Sequence, residues 1–308
     1  MANTLTGAFE TLVAATTSAT QSLQFSNAMI DCVYRDLHPI ATSPGVQTTL
    51  NVNIPTVSEG NVNDIGGGPL TPIDTDHTTV SIPFNRKDSV SFVIKSWDEF
   101  RSPENLKEKY IQPNLEALLR KINRRLANFV TSTNFNSYTA ITGAGTAKFQ
   151  RADMAAGWAN LVNSGVNVQD EGNVFFVVTP TAYSNMMADT TFYQQNVVGD
   201  AASAAALQRA MIAPGYNALI RWDQQIPLTS TKETGLFFHR NAIAMVAAPL
   251  PPSGSTDVKE TYVYPRNKLP VQLQMQYSLK DQGWLIAMNC AHGETIFRAN
   301  HGSFMSAS

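Results

Sequence analysis

The chain has 308 residues, enough for one large domain or two smaller ones around a real hydrophobic core. Charged residues make up only 15% of the chain, below the level typical of soluble proteins, and the formal net charge of −2 excludes a globally basic nucleic-acid binder. The two cysteines cannot staple such a chain and lack metal-ligand spacing, which favours a reducing compartment, and no apolar run is long enough for a membrane span.

The low charge has two interpretations. Surfaces that neighbouring subunits cover are depleted in charge at their centre, so the composition is typical of a protein that packs against many neighbours. The alternative is a stable monomer whose surface is rich in Ser, Thr, Asn and Gln.

The first part of the chain predicts an arm followed by a long β-hairpin. Residues 1–45 are rich in Thr, Ser and Ala and end among prolines, which is typical of an arm and not of a domain. Residues 46–94 contain three apolar runs with the period-2 alternation of half-buried strands. The runs are Leu50, Val52 and Ile54, then Val80, Ile82 and Phe84, then Val90, Phe92 and Ile94.

A polar connection of roughly 24 residues joins the first two runs. It contains Gly66, Gly67, Gly68 and Pro69, and because Gly supplies positive φ while Pro removes a ladder donor, we expect a flexible tip. Ordinary connections have about 4–6 residues. We therefore expect this loop to be functional, disordered alone or ordered by a partner.

The clearest helix is predicted over residues 103–131. Ser102 is suited to cap it, Pro103 fits its first position, and Pro113 is expected to kink it or to begin a second helix. One face is apolar at helical spacing and the opposite face is basic. The apolar face comprises Ile111, Leu115, Leu118, Leu119, Ile122, Leu126, Phe129 and Val130, and the basic face comprises Arg120, Lys121 and Arg124.

Residues 135–256 predict a mixed α/β region, and residues 257–308 a return to β-structure. Helices are expected from Asp153 to Gly165, from Pro180 onwards and over 201–211, with strands at 173–179, 216–222 and 242–248. The best hairpin signal comes last. Apolar and polar residues alternate over 271–280, Asp281, Gln282 and Gly283 form a turn, and a strand returns over 284–290.

Two loop segments resemble binding sites only weakly. Asp74, Asp76 and His77 are candidate metal ligands, but no further ligand stands at a recognisable spacing, which favours a solvated acidic loop. Residues 143–148 are rich in glycine and end in lysine, yet they lack the G-x-x-x-x-G-K-[ST] spacing of a phosphate-binding loop. A connector is the favoured interpretation there.

The remaining candidates are histidines in predicted strands and the basic face of the helix. His239, and His292 with Glu294, are interpreted as structural residues and not as general bases. The basic face has two interpretations, which are contact with nucleic-acid phosphates and an ordinary solvated or inter-subunit surface. No catalytic motif such as G-x-S-x-G or H-E-x-x-H occurs, so we predict no enzyme and no cofactor.

The order of the elements carries a resemblance. An arm, a long hairpin, a long helix, an α/β middle and closing β-hairpins together resemble the Hong Kong 97-like fold of tailed-bacteriophage major capsid proteins, with the podophage-type lineage closest. Three stretches resemble phage coat proteins in sequence: Asn173 to Met187, Gly215 to Pro227, and Thr234 to Leu250.

The resemblance implies an α+β capsid fold with four parts. These are an N-terminal arm (1–45), an extended-loop hairpin (46–85), a peripheral domain with a spine helix (86–134 and 257–308), and an axial domain (135–256). The extended loop is then an assembly element, with its tip contacts expected at Glu59, Asp64, Gly66, Gly67, Gly68 and Pro69.

The implied function is a shell subunit. Copies would form hexamers and pentamers that tile an icosahedral shell around double-stranded DNA, in the virion, after assembly in the host cytoplasm. Implied partners are a separate scaffolding protein, a portal and a decoration protein, with no membrane. Residues 46–79 contain no lysine, so the covalent cross-link that some relatives form through this loop is not predicted. The alternatives are an encapsulin-type nanocompartment shell and a metal-dependent hydrolase.

Overall fold

The computed structural model of the chain describes residues 28–35, 49–55, 77–101, 106–135, 137–141, 148–188, 217–228, 233–248, 250, 259–263 and 269–307. The helices within these ranges are α1 (Ala28–Cys32), α2 (Ser96–Arg101), α3 (Leu106–Ala127), α4 (Arg151–Asn163) and α5 (Pro180–Ala188). The strands are β1 (Thr49–Pro55), β2 (His77–Pro83), β3 (Arg86–Lys95), β4 (Ser137–Ile141), β5 (Val174–Val178), β6 (Leu219–Trp222), β7 (Thr234–His239), β8 (Ile243–Ala248), β9 (Lys259–Val263), β10 (Val271–Ser278), β11 (Gly283–Ile296) and β12 (Gly302–Ala307).

The longest strand, β11, organises the first sheet. It pairs antiparallel with β3 over residues 283–292 and with β10 over residues 283–289, and its last six residues pair with β8. Strand β9 continues the sheet beyond β10. The predicted closing hairpin is confirmed, since Ser278 and Gly283 are register partners at its turn.

The second sheet is mixed and has the strand order β4-β12-β7-β5-β6. Strand β5 has no polar residue because both of its faces are covered. Phe175 and Val177 enter the main core, while Phe176 and Val178 enter a second core under α4 and α5. The sheet thus shares one apolar interior with α3 and the first sheet.

Helix α3 buries the apolar face that its sequence predicts. Ile111, Leu115, Leu118, Leu119, Ile122, Leu126 and Val130 are all buried. The helix continues through Pro113, so the proline does not begin a second helix, and Asn114 Nδ2 donates to the Tyr110 carbonyl at 2.8 Å beside it. The predicted caps Ser102 and Pro103 lie outside the described residues.

Part of the predicted arm is core. Met29, Ile30 and Val33 are buried, and the amides of the first two bind distant side chains. Met29 N donates to Asp223 Oδ2 and Ile30 N donates to Asn123 Oδ1, each at 3.2 Å. These contacts satisfy amide groups that the start of a helix leaves unpaired. The arm prediction therefore does not hold for residues 28–35, which are fixed against α3.

Two further boundaries differ from the sequence-based ranges. Helix α4 begins at Arg151, with Gln150 as its N-cap, and Asp153 accepts from the Gln150 amide as the third residue of a capping box. Strand β8, expected in the axial region, pairs in the first sheet, and β12, expected in the peripheral domain, pairs in the second. The helix predicted over 201–211 lies outside the described residues.

Candidate functional site

Strands β1 and β2 form a two-stranded antiparallel ribbon, the hairpin ribbon hereafter. Their register pairs Leu50 with Ile82 and Val52 with Val80, which places the alternating apolar residues of both strands on one face. The solvent face carries polar cross-strand pairs. Thr79 Oγ1 and Ser81 Oγ donate to Asn53 and Asn51 at 2.9 and 2.7 Å. The ribbon is therefore apolar on one face and polar on the other.

The apolar face of the ribbon packs on strand β8. Alternate residues of β8, Ala244, Val246 and Ala248, cluster with Ile82 below Leu50 and Val52. The small side chains of the two alanines allow the ribbon to approach the strand closely. The opposite face of β8 belongs to the main core, so this strand joins the ribbon to the body of the molecule.

The ribbon base also touches β11 through backbone alone. A Cβ atom at Gly293 would lie 1.9 Å from the Pro83 carbonyl oxygen, at the point where β2 ends. Only glycine fits this approach. Gly293 therefore allows the close contact between β11 and the end of β2, which positions the base of the ribbon.

A cluster of charges, the clasp cluster, lies beside this base, with its carboxylates and histidine buried and its arginines and lysine partly exposed. It joins β3, β11 and α3. Its members are Arg86, Asp88, Lys121, Arg125, His292 and Glu294. The cluster ties the strand that follows the ribbon to the long helix.

Asp88 stands at the centre of the clasp cluster. Its Oδ1 atom lies 3.0 Å from Lys121 Nζ and 3.1 Å from Arg125 Nη2, and its side chain is only 3% exposed. Burial by itself raises the pKa of this carboxyl, but hydrogen bonds from Lys121 and His292 and the charge of Arg125 outweigh it and hold the pKa below its ordinary value. Asp88 is thus held in its charged form.

His292 lies between two carboxylates. Its Nε2 atom is 3.0 Å from Asp88 Oδ2 and its Nδ1 atom is 2.9 Å from Glu294 Oε2. Both contacts are hydrogen bonds only when each ring nitrogen carries a proton. The ring is fully buried, so it has no access to a substrate. This geometry supports the structural interpretation of His292 and Glu294.

The predicted basic face of α3 is largely neutralised. Arg120 pairs with Glu116, and Lys121 is bound to Asp88 in the clasp cluster. Among the described residues only Arg124 of this face remains exposed without a carboxylate partner. These three residues and Pro113, Glu116 and Ala117 line an open groove of about 520 Å³.

His239 also has a structural environment. Its Nδ1 atom accepts from the Asn241 amide and its Nε2 atom lies 3.2 Å from Asp170 Oδ2. The nearby His301 ring is partly buried, and burial together with Arg298 and His239 lowers its pKa to about 4. His239 and His301 are therefore not arranged as a catalytic pair.

The loop candidates fall mostly on residues that are not described. Glu59, Asp64, Gly66, Gly67, Gly68, Pro69, Asp74, Asp76 and residues 142–147 all lie outside the described ranges, whereas His77 begins β2 and is exposed. Within the described residues no group of His, Cys, Asp and Glu has the arrangement of a metal site. The described helices include none that is long and apolar enough to span a membrane.

Sequence reasoning missed Arg86, Asp88 and Arg125. One signal was present, because Asp88 has the same parity as Val90, Phe92 and Ile94 and therefore shares their inward face of β3. A carboxylate at an inward position requires a buried partner. The identity of that partner, a histidine 204 residues away, is not visible in the sequence.

The arrangement of the two sheets, α3 and the hairpin ribbon matches solved capsid structures along most of the chain. A structure from Mycobacterium phage Che8 has a TM-score of 0.61 at 16% identity and covers 90% of both chains. The capsid structure of cyanophage P-SCSP1u has a TM-score of 0.63 at 15% identity, covering 90% of this chain and 87% of that one. This is the Hong Kong 97-like capsid fold.

The capsid fold also occurs outside phages. A virus-like particle from Pyrococcus furiosus has a TM-score of 0.55 at 9% identity and covers 96% of this chain and 98% of that one. No protein-family model and no curated protein sequence matches the chain. Within this fold, the clasp cluster joins β3, the strand that follows the hairpin ribbon, to α3 and β11.

Proposed function

We propose that this chain is the major capsid protein of a tailed bacteriophage, whose copies assemble as hexamers and pentamers into an icosahedral shell around double-stranded DNA. The observation that carries the proposal is the capsid fold over about nine tenths of the chain, shared with the phage structures described above. The protein would act through contacts between copies, without catalysis, as a component of the virion.

The hairpin ribbon supports this role physically. A two-stranded ribbon is marginally stable alone, and within the described residues β1 and β2 pair only with each other. Strand edges of this kind readily pair with another chain. A neighbouring copy that covers the ribbon would stabilise it and gain buried area. The predicted tip contacts from Glu59 to Pro69 belong to the same proposal.

The four-part division completes the proposed subunit. In this proposal residues 1–45 form the N-terminal arm and residues 46–85 form the extended loop. Residues 86–134 and 257–308 form the peripheral domain, and residues 135–256 form the axial domain. Because β8 pairs in the first sheet and β12 in the second, we count β8 with the peripheral part and β12 with the axial part in this proposal. A scaffolding protein, a portal and a decoration protein are the proposed partners.

DNA contact is proposed for the groove face of α3. Arg124 is exposed there, while Arg120 and Lys121 already bind Glu116 and Asp88. The available charge is therefore small, and contact with packaged DNA would be weak, independent of sequence and sensitive to salt.

Electron microscopy of the expressed chain tests the proposal. We expect closed shells of uniform size when the chain is expressed with the proposed scaffolding protein, because heterologous contacts between identical copies close into rings and shells. The control is the chain without that protein. A chain that stays monomeric under every assembly condition, with and without the scaffolding protein, contradicts the proposed function.

A nanocompartment shell is the second candidate. The similarity to the virus-like particle from Pyrococcus furiosus supports this second candidate, because the match covers nearly the whole of both chains. The contents of particles isolated from the natural source distinguish the two functions. Double-stranded DNA supports the phage capsid, whereas a protein cargo supports the nanocompartment.

Deleting residues 61–71 is expected to leave a folded subunit that assembles poorly. Pro55 and His77 are register partners, so the shortened connection still closes the hairpin ribbon. The expected loss comes from contacts that the loop makes with a neighbouring copy. Urea unfolding measures the fold, and sedimentation measures the shell yield. An unchanged yield would show that the loop tip makes no assembly contact.

A further inference from the structure

Large apolar side chains are exposed together at one end of the first sheet. Trp97 and Phe100, on helix α2, are 64% and 82% exposed, and Leu279, in the turn between β10 and β11, is 84% exposed. Tyr277 is 40% exposed beside them. We call these four residues the tip patch. With Lys95, Ser96 and residues 280–282, three of the four line an open groove of about 750 Å³.

The tip patch is held in place by backbone and side-chain contacts. The Ser96 amide donates to the Gln282 carbonyl at 2.9 Å, which joins the start of α2 to the turn. A Cβ atom at Gly283 would lie 2.4 Å from the Ile94 carbonyl, so strand and turn are in close contact. The rings of Trp97 and Phe100 stack with centroids 6.0 Å apart. An ordered surface loses little entropy when it binds.

The size of the tip patch is in the range of the largest apolar patch on a soluble monomer, and patches of this size are often functional. Its three most exposed side chains present on the order of 400 Å² of largely apolar area. Contiguous apolar patches of that size on soluble monomers commonly mark interaction sites. Trp and Tyr are also enriched among the residues that dominate binding at protein interfaces.

The charges around the tip patch indicate what binds there. Lys95 and Lys280 stand on its rim together with Asp98 and Asp281, and all four are exposed. Glu99, half-buried on α2, adds a third acidic residue, so the patch has no excess of positive charge for a polyanion such as DNA. A rim with both signs can match a second copy of itself, as a symmetric contact requires.

We propose that the tip patch docks against the same patch on a second copy of this chain. This inference deepens the proposed function and rests on it. The apolar centre of each patch covers the other, and lysines of one copy face aspartates of its partner. The contact is separate from the hairpin ribbon, which lies at the opposite end of β3.

A double variant, Trp97→Ser with Phe100→Ser, tests the proposal by shell yield. Both side chains are exposed, so we expect urea unfolding close to that of the wild type, with the yield of shells reduced by about tenfold or more. Leu228→Ser is the matched control, because this leucine is 57% exposed and lies in the segment that follows β6 of the second sheet. Wild-type yield from the double variant overturns the proposal while leaving the proposed function intact. Absence of shells from the wild-type chain overturns both.

A cysteine variant tests whether the partner is the same patch. The two native cysteines are buried and should not react with a bismaleimide. Leu279 is exposed, so Leu279→Cys places the one accessible thiol in the tip patch. We expect covalent dimers on a denaturing gel from assembled shells and monomers from free subunits, with Leu228→Cys as the control. Shells that yield only monomers from Leu279→Cys would mean that another segment, such as residues 56–76 of a neighbour, occupies the patch.

Discussion

Replacing Leu118 by aspartate is expected to prevent the chain from folding. Leu118 is 1% exposed and lies in the main core between α3 and the two sheets. The change removes a buried leucine, which alone costs about 2–5 kcal/mol, and adds a carboxylate without a buried partner. The sum reaches the whole free energy of unfolding of an ordinary domain, which is about 5–15 kcal/mol. Soluble yield and circular dichroism measure the outcome.

The adjacent residue supplies a matched control for this substitution. Ala117 is exposed on the same helix and lines the groove beside Arg120 and Lys121. Ala117→Asp adds the same carboxylate to the same helix, but into water and beside positive charge. It should fold as the wild type does. A soluble, native-like Leu118→Asp protein would show that the apolar face of α3 has been assigned incorrectly.

Local patterns predicted much of the fold because they depend on residues near in sequence. The apolar face of α3 follows from helical spacing, and the apolar face of the ribbon follows from the alternation in its two strands, on which Leu50 and Ile82 meet. Strand β5 and the helix start at Pro180 were likewise visible in the sequence, and the Tyr183 amide donates to the Thr179 carbonyl at that start.

Contacts between distant segments could not be predicted in the same way. Met29 is bound to a carboxylate 194 residues away, and Asn123 to the same carboxylate 100 residues away. In the sequence alone, Asp223 and Asn123 are ordinary polar residues, and Met29 takes part only through its backbone amide. The pairing depends on how α1, α3 and β6 pack, which no local pattern records.

The exchange of β8 and β12 between the predicted regions has a similar cause. Strand β11 has 14 residues, and its final six extend beyond β10 to pair with β8. The alternation of residues indicates that a segment is a strand, but it does not indicate which strand that segment pairs with. A single long strand therefore recruits β8 from the segment that otherwise belongs to the α/β region.

Replacing Asp88 by asparagine is expected to lower the free energy of unfolding by about 3 kcal/mol at neutral pH. Asparagine keeps the shape of the side chain but removes the charge that Lys121, Arg125 and His292 share. Removing one member of a buried ion pair typically costs about 3–5 kcal/mol. We expect the lower end because Lys121 is 59% exposed and can turn to water. Urea unfolding measures the change.

The pH dependence of this loss has a defined sign. The pKa of Asp88 in the folded protein lies below its ordinary value of 3.8, so the carboxylate stabilises the fold above that pH. Its contribution disappears as the pH falls through the lower folded pKa. The stability difference between wild type and Asp88→Asn should therefore shrink as the pH falls below about pH 4.

Glu171→Gln provides the control for Asp88→Asn, because Glu171 is exposed in the turn before β5 and its loss of charge should leave the free energy of unfolding nearly unchanged. The clasp cluster also joins β3, the strand that follows the hairpin ribbon, to α3. Asp88→Asn should therefore destabilise the packing of the ribbon as well as the core. Equal stability of wild type and variant at pH 7 would mean that Asp88 is not the centre of a stabilising cluster.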